Sequence, residues 1–248
     1  MRQRFLIGSL LLLATIASAQ TQPQATNPAD DVVRQALDNM AGTGWAKARY
    51  IAFTFIVEKE GKVLATFPER WDRVTGDYRV SGKDQQGNDF VVIMNMMTKK
   101  GRGWSSGKEL ADPKDLLALA SLRFANDTYW FQMPLLAMDA RVQRELASPK
   151  SDCGSVWDIV KLTFDPSLGP IPDSSWMYVN RDTGLVDQWD MRLQGSGAQE
   201  TLPVIFHKYR RIEGVLLSTW REIRGKDQWV HLDDVQILSE TPKTAFAP

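Results

Sequence analysis

Cysteine and histidine are the scarcest reactive residues in this sequence: one cysteine, Cys153, and two histidines, His207 and His231, among 248 residues. A lone cysteine excludes an internal disulfide, so packing must hold the fold. Thiol catalysis is a poor reading too, because no base lies near Cys153 in the chain and no family signature surrounds it. Also missing are a Gly-x-Ser-x-Gly elbow, a His-Glu-x-x-His pair and a Walker-type loop, the usual parts of acyl transfer, zinc hydrolysis and nucleotide chemistry. Gly101-Arg102-Gly103 reads as a hairpin turn. The pairs Asp187 and Asp190, and Asp233 and Asp234, fall at odd spacings that send strand side chains to opposite faces. His231 and Asp233 share a strand face, yet together they offer fewer ligands than zinc takes. No metal, cofactor or enzymatic activity is expected.

Neither charge is in excess, with 30 basic and 30 acidic residues, so nothing argues for nucleic acid. Long apolar runs are nearly absent. The one present, Phe5 to Ile16, follows Arg2 and Arg4 and ends at Ala17-Ser18-Ala19, which reads as a signal peptide cleaved after Ala19. It is shorter than the ~20 residues a membrane span needs. The expected product is periplasmic or secreted and does not span the membrane. Without Arg2 and Arg4 the balance is 28 basic against 30 acidic residues, a net of −2.

What the sequence does hold is nine tryptophans and nine methionines, set in a grammar of short alternating segments. Residues 20–28 read as a flexible tether. Asn27-Pro28 then caps an amphipathic helix whose Val32, Val33, Ala36, Leu37 and Met40 share a stripe, with Gly42 to end it. From Trp45 the period changes. Strands are expected at Ile51 to Val57, Val63 to Trp71, Asp77 to Ser81, Phe90 to Met96 and around Trp104, each a hairpin turn from the next. Asp112-Pro113 starts a second helix, Pro113 to about Phe124, too apolar to leave uncovered. Ala125 to Asp139 follows with Tyr129, Trp130, Phe131, Met133, Leu135, Leu136 and Met138, and Pro134 forbids one uninterrupted helix. Residues 140–151 are charged and read as largely irregular, with room for one short strand. Strands return at Trp157 to Phe164, Trp176 to Asn180, Leu185 to Leu193, Pro203 to Tyr209, Val215 to Ile223 and Trp229 to Leu238, with a stiff loop at Pro166 to Ser174. Residues 240–248 read as a frayed tail.

A mainly β (α+β) fold follows: a large curved antiparallel sheet of about 10–11 strands, folded as a half-open barrel, with a helical lid made from Asp31 to Met40 and Pro113 to Asp139. Such a sheet can enclose a cavity. Phe53, Phe55, Trp71, Met94, Met96, Trp104, Trp130, Trp189 and Trp220 are the candidate lining, since rings and thioethers adapt to irregular apolar guests. The same residues would equally build a solid core.

The order of elements, with Asn126-Asp127-Thr128-Tyr129-Trp130-Phe131, Met133-Pro134-Leu135-Leu136, Asp139, Leu162-Thr163-Phe164 and the hairpin from Trp176-Met177-Tyr178-Val179 to Asp182-Thr183-Gly184, resembles the LolA/LolB-like superfamily of periplasmic lipoprotein carriers. It is most similar to a group of uncharacterised secreted bacterial proteins within it. The resemblance covers roughly residues 45–238 and implies one half-barrel domain over 29–239 that shelters acyl chains, with envelope lipoproteins or membrane-associated proteins as further partners. In those carriers an early-strand arginine contacts the lid, which points here to Arg70 or Arg73. The midsection and the proline-rich loop depart from the carriers' pattern. Two readings result: a non-enzymatic carrier or sensor of a hydrophobic ligand, or an envelope interaction module that is solid inside.

Overall fold

The computed structural model describes residues 27–168, 172–192 and 200–248. The signal peptide expected at 1–19 and nearly all of the tether at 20–28 lie outside these residues, as do Leu193 and the loop residues Gly169 and Pro170. In chain order the elements are α1 (Pro28–Met40), α2 (Gly44–Lys47), β1 (Tyr50–Lys59), β2 (Lys62–Asp72), β3 (Asp77–Lys83), β4 (Asp89–Asn95), β5 (Gly101–Ser105), β6 (Lys108–Glu109) and α3 (Lys114–Gln132). A 3-10 segment, Met133–Met138, leads to β7 (Val142–Asp152) and β8 (Ser155–Phe164), and a second, Pro166–Leu168, precedes β9 (Ser174–Asn180). The chain closes with β10 (Val186–Arg192), β11 (Leu202–Ile212), β12 (Val215–Ile223) and β13 (Gln228–Leu238).

All 13 strands form one antiparallel sheet in the order β6-β5-β4-β3-β2-β1-β13-β12-β11-β10-β9-β8-β7. The chain enters at the centre, winds out to one edge, crosses to the other and winds back until β13 pairs with β1. α3 is that crossing. Residues of both halves bury their inner faces in one core with α3, so the sheet curls around the helix, as a half-open barrel around a lid.

Two strands exceed the expected number, β6 and β7. β6 has two residues, too few for any period. β7 is an edge strand with little buried surface and a charged, proline-containing sequence, so no alternation marks it, and that polarity protects an open edge from further pairing. α3 runs to Gln132, eight residues past its expected end, and stops two residues before Pro134, which is accommodated in the first turn of the 3-10 segment.

The inner, helix-covered face holds the core. Ile51, Phe53, Phe55, Tyr78, Val80, Phe90, Val92 and Met94 from one half meet Val160, Leu162, Met177, Trp189, Leu217, Val230 and Leu232 from the other. Phe131 of α3 stacks on Phe53 at 4.8 Å between ring centres. Gly103 lets the start of α3 settle on β5, since a Cβ there would lie 3.0 Å from Pro113 and 3.2 Å from Leu116. α1 is capped by Asn27, whose Oδ1 accepts the Ala29 N–H at 3.1 Å. Its Ala29, Val33, Ala36 and Met40 stripe is buried beside β7, β8, β12 and the 3-10 segment. Residues 240–248 are not frayed. Ala245 is buried against Tyr50 and Ala52 on the outer face, Phe246 meets Tyr50 edge-on, and Arg70 and Arg79 donate to the Ala245 and Ala247 carbonyls at 2.9 Å each. A tail this short and polar shows no period, so its docking depends on partners distant in the sequence.

Candidate functional site

α3 does not seal the inner face completely. A cleft of about 780 Å³ lies along one flank, lined by Trp71, Met96, Leu122, Phe124, Leu136 and Leu168 with Lys99 and Arg141 among its polar residues. A second, of about 420 Å³, is lined by Phe55, Trp130, Met191, Ile223 and Val230 with Arg123 and Lys226. Tyr129 lines both. Its position follows from the helix: it is buried on α3, accepts the Trp189 Nε1–H at 3.1 Å and lies 3.4 Å from the Ser175 hydroxyl. Burial pushes the Tyr129 phenol up to about 12, so it is a neutral partition between the clefts.

Under the helix sits a polar cluster. Asp127 is fully buried and paired with Arg123, one turn earlier on α3, through an Nε contact of 2.8 Å and a second from Nη2. The Arg123 guanidinium also lies over Phe67, 4.1 Å from the ring centre, which adds a cation–π contact. Glu69 on β2 is 1% exposed beside this pair, and neither its oxygens nor the Tyr78 hydroxyl has a hydrogen-bond partner among the described residues. Burial, and then the neighbouring Asp127, raise the Glu69 pKa well above its ordinary value, so the side chain is a neutral acid. Nearer the second half, Arg221 is 0% exposed with only its Nη2 partnered, to the Ser218 carbonyl at 3.3 Å. Burial lowers its pKa to about 10, which leaves it cationic at neutral pH.

The structure separates the candidate lining into five groups. Trp71 and Met96 line the larger cleft, and Phe55 and Trp130 the smaller. Phe53, Met94 and Trp189 are packed in the core, so the space lies beside the helix rather than beneath it. Trp104 is near the far edge, under the Arg102 guanidinium at 4.9 Å. Trp220 faces away from α3, pairs across strands with His231 and holds Lys208 over its ring. Among the described residues neither candidate arginine hydrogen-bonds or ion-pairs with α3: Arg70 binds the C-terminal tail, and Arg73 donates to the Trp45 and Ala48 carbonyls and stacks on Trp45 at 4.2 Å. From the sheet it is Arg144 of β7 that holds the lid, donating to the Ala137 and Asp139 carbonyls at 3.0 and 3.3 Å and to Asp30 of α1, while Arg123 reaches Phe67 from the lid itself.

Sequence reading missed Glu69, Arg123, Asp127, Tyr129 and Arg221 as a set. The signals were present: Phe67, Glu69 and Trp71 share strand parity, and Arg123 and Asp127 are four apart on an apolar helix. Cys153 sits exposed between β7 and β8, where the Asp152 carboxylate pushes its thiol up, opposite to what a nucleophile needs. Among the described residues no three His, Cys, Asp or Glu side chains converge on a metal site. No helix among them is long and apolar enough to cross a membrane.

An unclosed antiparallel sheet curled around one apolar helix, with clefts along the helix flanks, defines a half-barrel with a lid. The chain has a LolA-like fold, as its sequence resemblance implied. It is similar to a LolA superfamily protein from Nitrosomonas europaea, with a TM-score of 0.51 and 10% identity over 89% of this chain and 97% of that one. A DUF1329 family protein from Desulfovibrio piger gives 0.49 and 11% over 89% and 98%. At such identities the likeness is one of fold. No protein-family model and no curated protein matches the sequence.

Proposed function

We propose that this chain is an exported, non-enzymatic binding protein that holds a hydrophobic guest, such as an acyl chain, beside α3, as a lipid or lipoprotein carrier or sensor. The observation that carries this reading is the larger cleft. Its volume, about 780 Å³, lies inside the roughly 300–1,000 Å³ range of small-molecule sites. Its walls are aromatic and aliphatic, and Leu122 stands 64% exposed along it, an apolar surface that a guest would cover. Trp71 and Met96 serve as guest contacts there, Phe55 and Trp130 in the smaller cleft, while Phe53, Met94 and Trp189 serve the core.

The test is titration of the mature protein with a solvatochromic dye that mimics a lipid. Saturable binding, weakened by Trp71→Ala, is expected. A flat signal would remove the carrier reading and leave the interaction module, for which the open, largely exposed edge at β7 speaks.

A further inference from the structure

We infer that the guest is an amphiphile with an anionic head, a carboxylate or a phosphate, on an acyl chain. This rests on the proposal that the clefts beside α3 bind a guest.

Across the whole chain basic and acidic residues number 30 each, yet the two clefts are lined by Lys99, Arg141, Arg123 and Lys226 against a single carboxylate, Asp139. Asp139 is already engaged, gripping Arg141 through contacts of 2.9 and 2.8 Å. Arg123 is likewise held by Asp127. Lys99 and Lys226 are left, one in each cleft, with no ion-pair partner among the described residues. The internal stretches 169–171 and 193–199 contain no ionisable side chain, so they add no charge to this balance.

A third cation lies behind the partition. Arg221 is 0% exposed, faces no carboxylate within ion-pair reach, and acts electrostatically on the Tyr129 hydroxyl, the group shared by both clefts. Glu69, the nearest carboxyl to Arg123 besides Asp127, is held neutral and does not offset it. Apolar walls with low polarisability lengthen the reach of such charges. A purely apolar guest would leave both lysines without a counter-charge, and a cationic one would be repelled. An anionic head placed at the lysine, with its chain along the apolar wall, satisfies both halves of the cleft.

The test uses four amphiphiles with one dodecyl chain length: dodecanoate, dodecyl phosphate, monododecanoylglycerol and dodecyltrimethylammonium, each displacing the bound dye from the mature protein. At least one anion is expected to bind about tenfold tighter than the neutral glyceride, with the gap narrowing as salt is raised. The ratio of dodecanoate to dodecyl phosphate then identifies the head. Lys99→Gln and Lys226→Gln, both at exposed positions, are expected to weaken the anions by about threefold to fivefold and leave the glyceride unchanged. Equal or tighter binding of the glyceride or the ammonium overturns the inference and leaves the clefts as binding sites. Failure of every amphiphile, and of the dye, overturns the binding reading itself.

Discussion

Glu69→Gln distinguishes a buried neutral acid from a buried charge. Glu69 is 1% exposed on β2 under α3, beside Asp127, whose charge is matched by Arg123. In the folded chain, burial first and Asp127 second keep Glu69 protonated well above 4.5, the ordinary value at which it ionises in the unfolded chain. Between those two points the folded state binds one more proton than the unfolded state. Stability is therefore full below about 4.5 and falls as pH rises through the window, by about 1.4 kcal/mol per pH unit, until Glu69 ionises in the folded state too. Glutamine has the same shape and cannot ionise, so its variant lacks this slope. Urea unfolding of both proteins in half-unit steps from about pH 5 to pH 8 measures the difference, and titrations common to both, such as that of His231, cancel. The variant is expected to gain on the wild type steadily as pH rises through the window. Parallel stability curves across the range would refute the assignment of Glu69 as a neutral acid beneath the helix.

Other perturbations probe separate parts of the structure. Phe131→Ala removes the ring that stacks on Phe53 and meets Trp45, and should cost about 3–5 kcal/mol in urea unfolding. Trp71→Ala, at the half-buried wall of the larger cleft, should cost less stability but weaken dye binding, so a thermal melt and a titration together separate core from site. Asp127→Asn leaves the Arg123 guanidinium without its carboxylate and should destabilise by about 3 kcal/mol. Deleting residues 240–248 removes the Thr241 bond to Asp72, the two carbonyls that hold Arg70 and Arg79, and the Phe246 contact with Tyr50. A loss of about 2 kcal/mol is expected, and an unchanged urea midpoint would show that the tail contributes nothing.

Alternation made most of the sheet legible in the sequence, because Ile51, Phe53 and Phe55, or Leu217 and Ile223, must share a face if either face is buried. It gave little at β7, where Val142 is the one buried residue and the others were free to be polar. The lid was legible as an apolar excess from Leu116 to Met138, but its helical length was not, since Pro134 marks where the helix must have ended rather than where it does. Trp220 is a candidate for the lining as an aromatic ring. Its own strand says otherwise: Leu217, Arg221 and Ile223 share parity, so the arginine is buried and the tryptophan faces out. Parity places Glu69 and Arg221 on the same buried face as their apolar neighbours, which their charge alone does not suggest. Arg70 and Arg73 rest on a family resemblance that names an early strand, whereas a strand arginine meets the lid from the far edge, at Arg144 of β7. Which aromatic residues fill the core and which border a cleft depends on how far α3 stands from each strand, a distance with no local signature.

The central claim, that apolar space beside α3 is occupied by a hydrophobic guest, is tested most directly by native mass spectrometry of the mature protein purified without detergent from its own cell envelope. The wild type should carry a discrete extra mass that delipidation removes. Ala118→Trp, an exposed helix position that narrows the larger cleft, should lose that mass while keeping its melting temperature. A bare protein mass for the wild type, or an extra mass that persists undiminished in the Ala118→Trp protein, would contradict it.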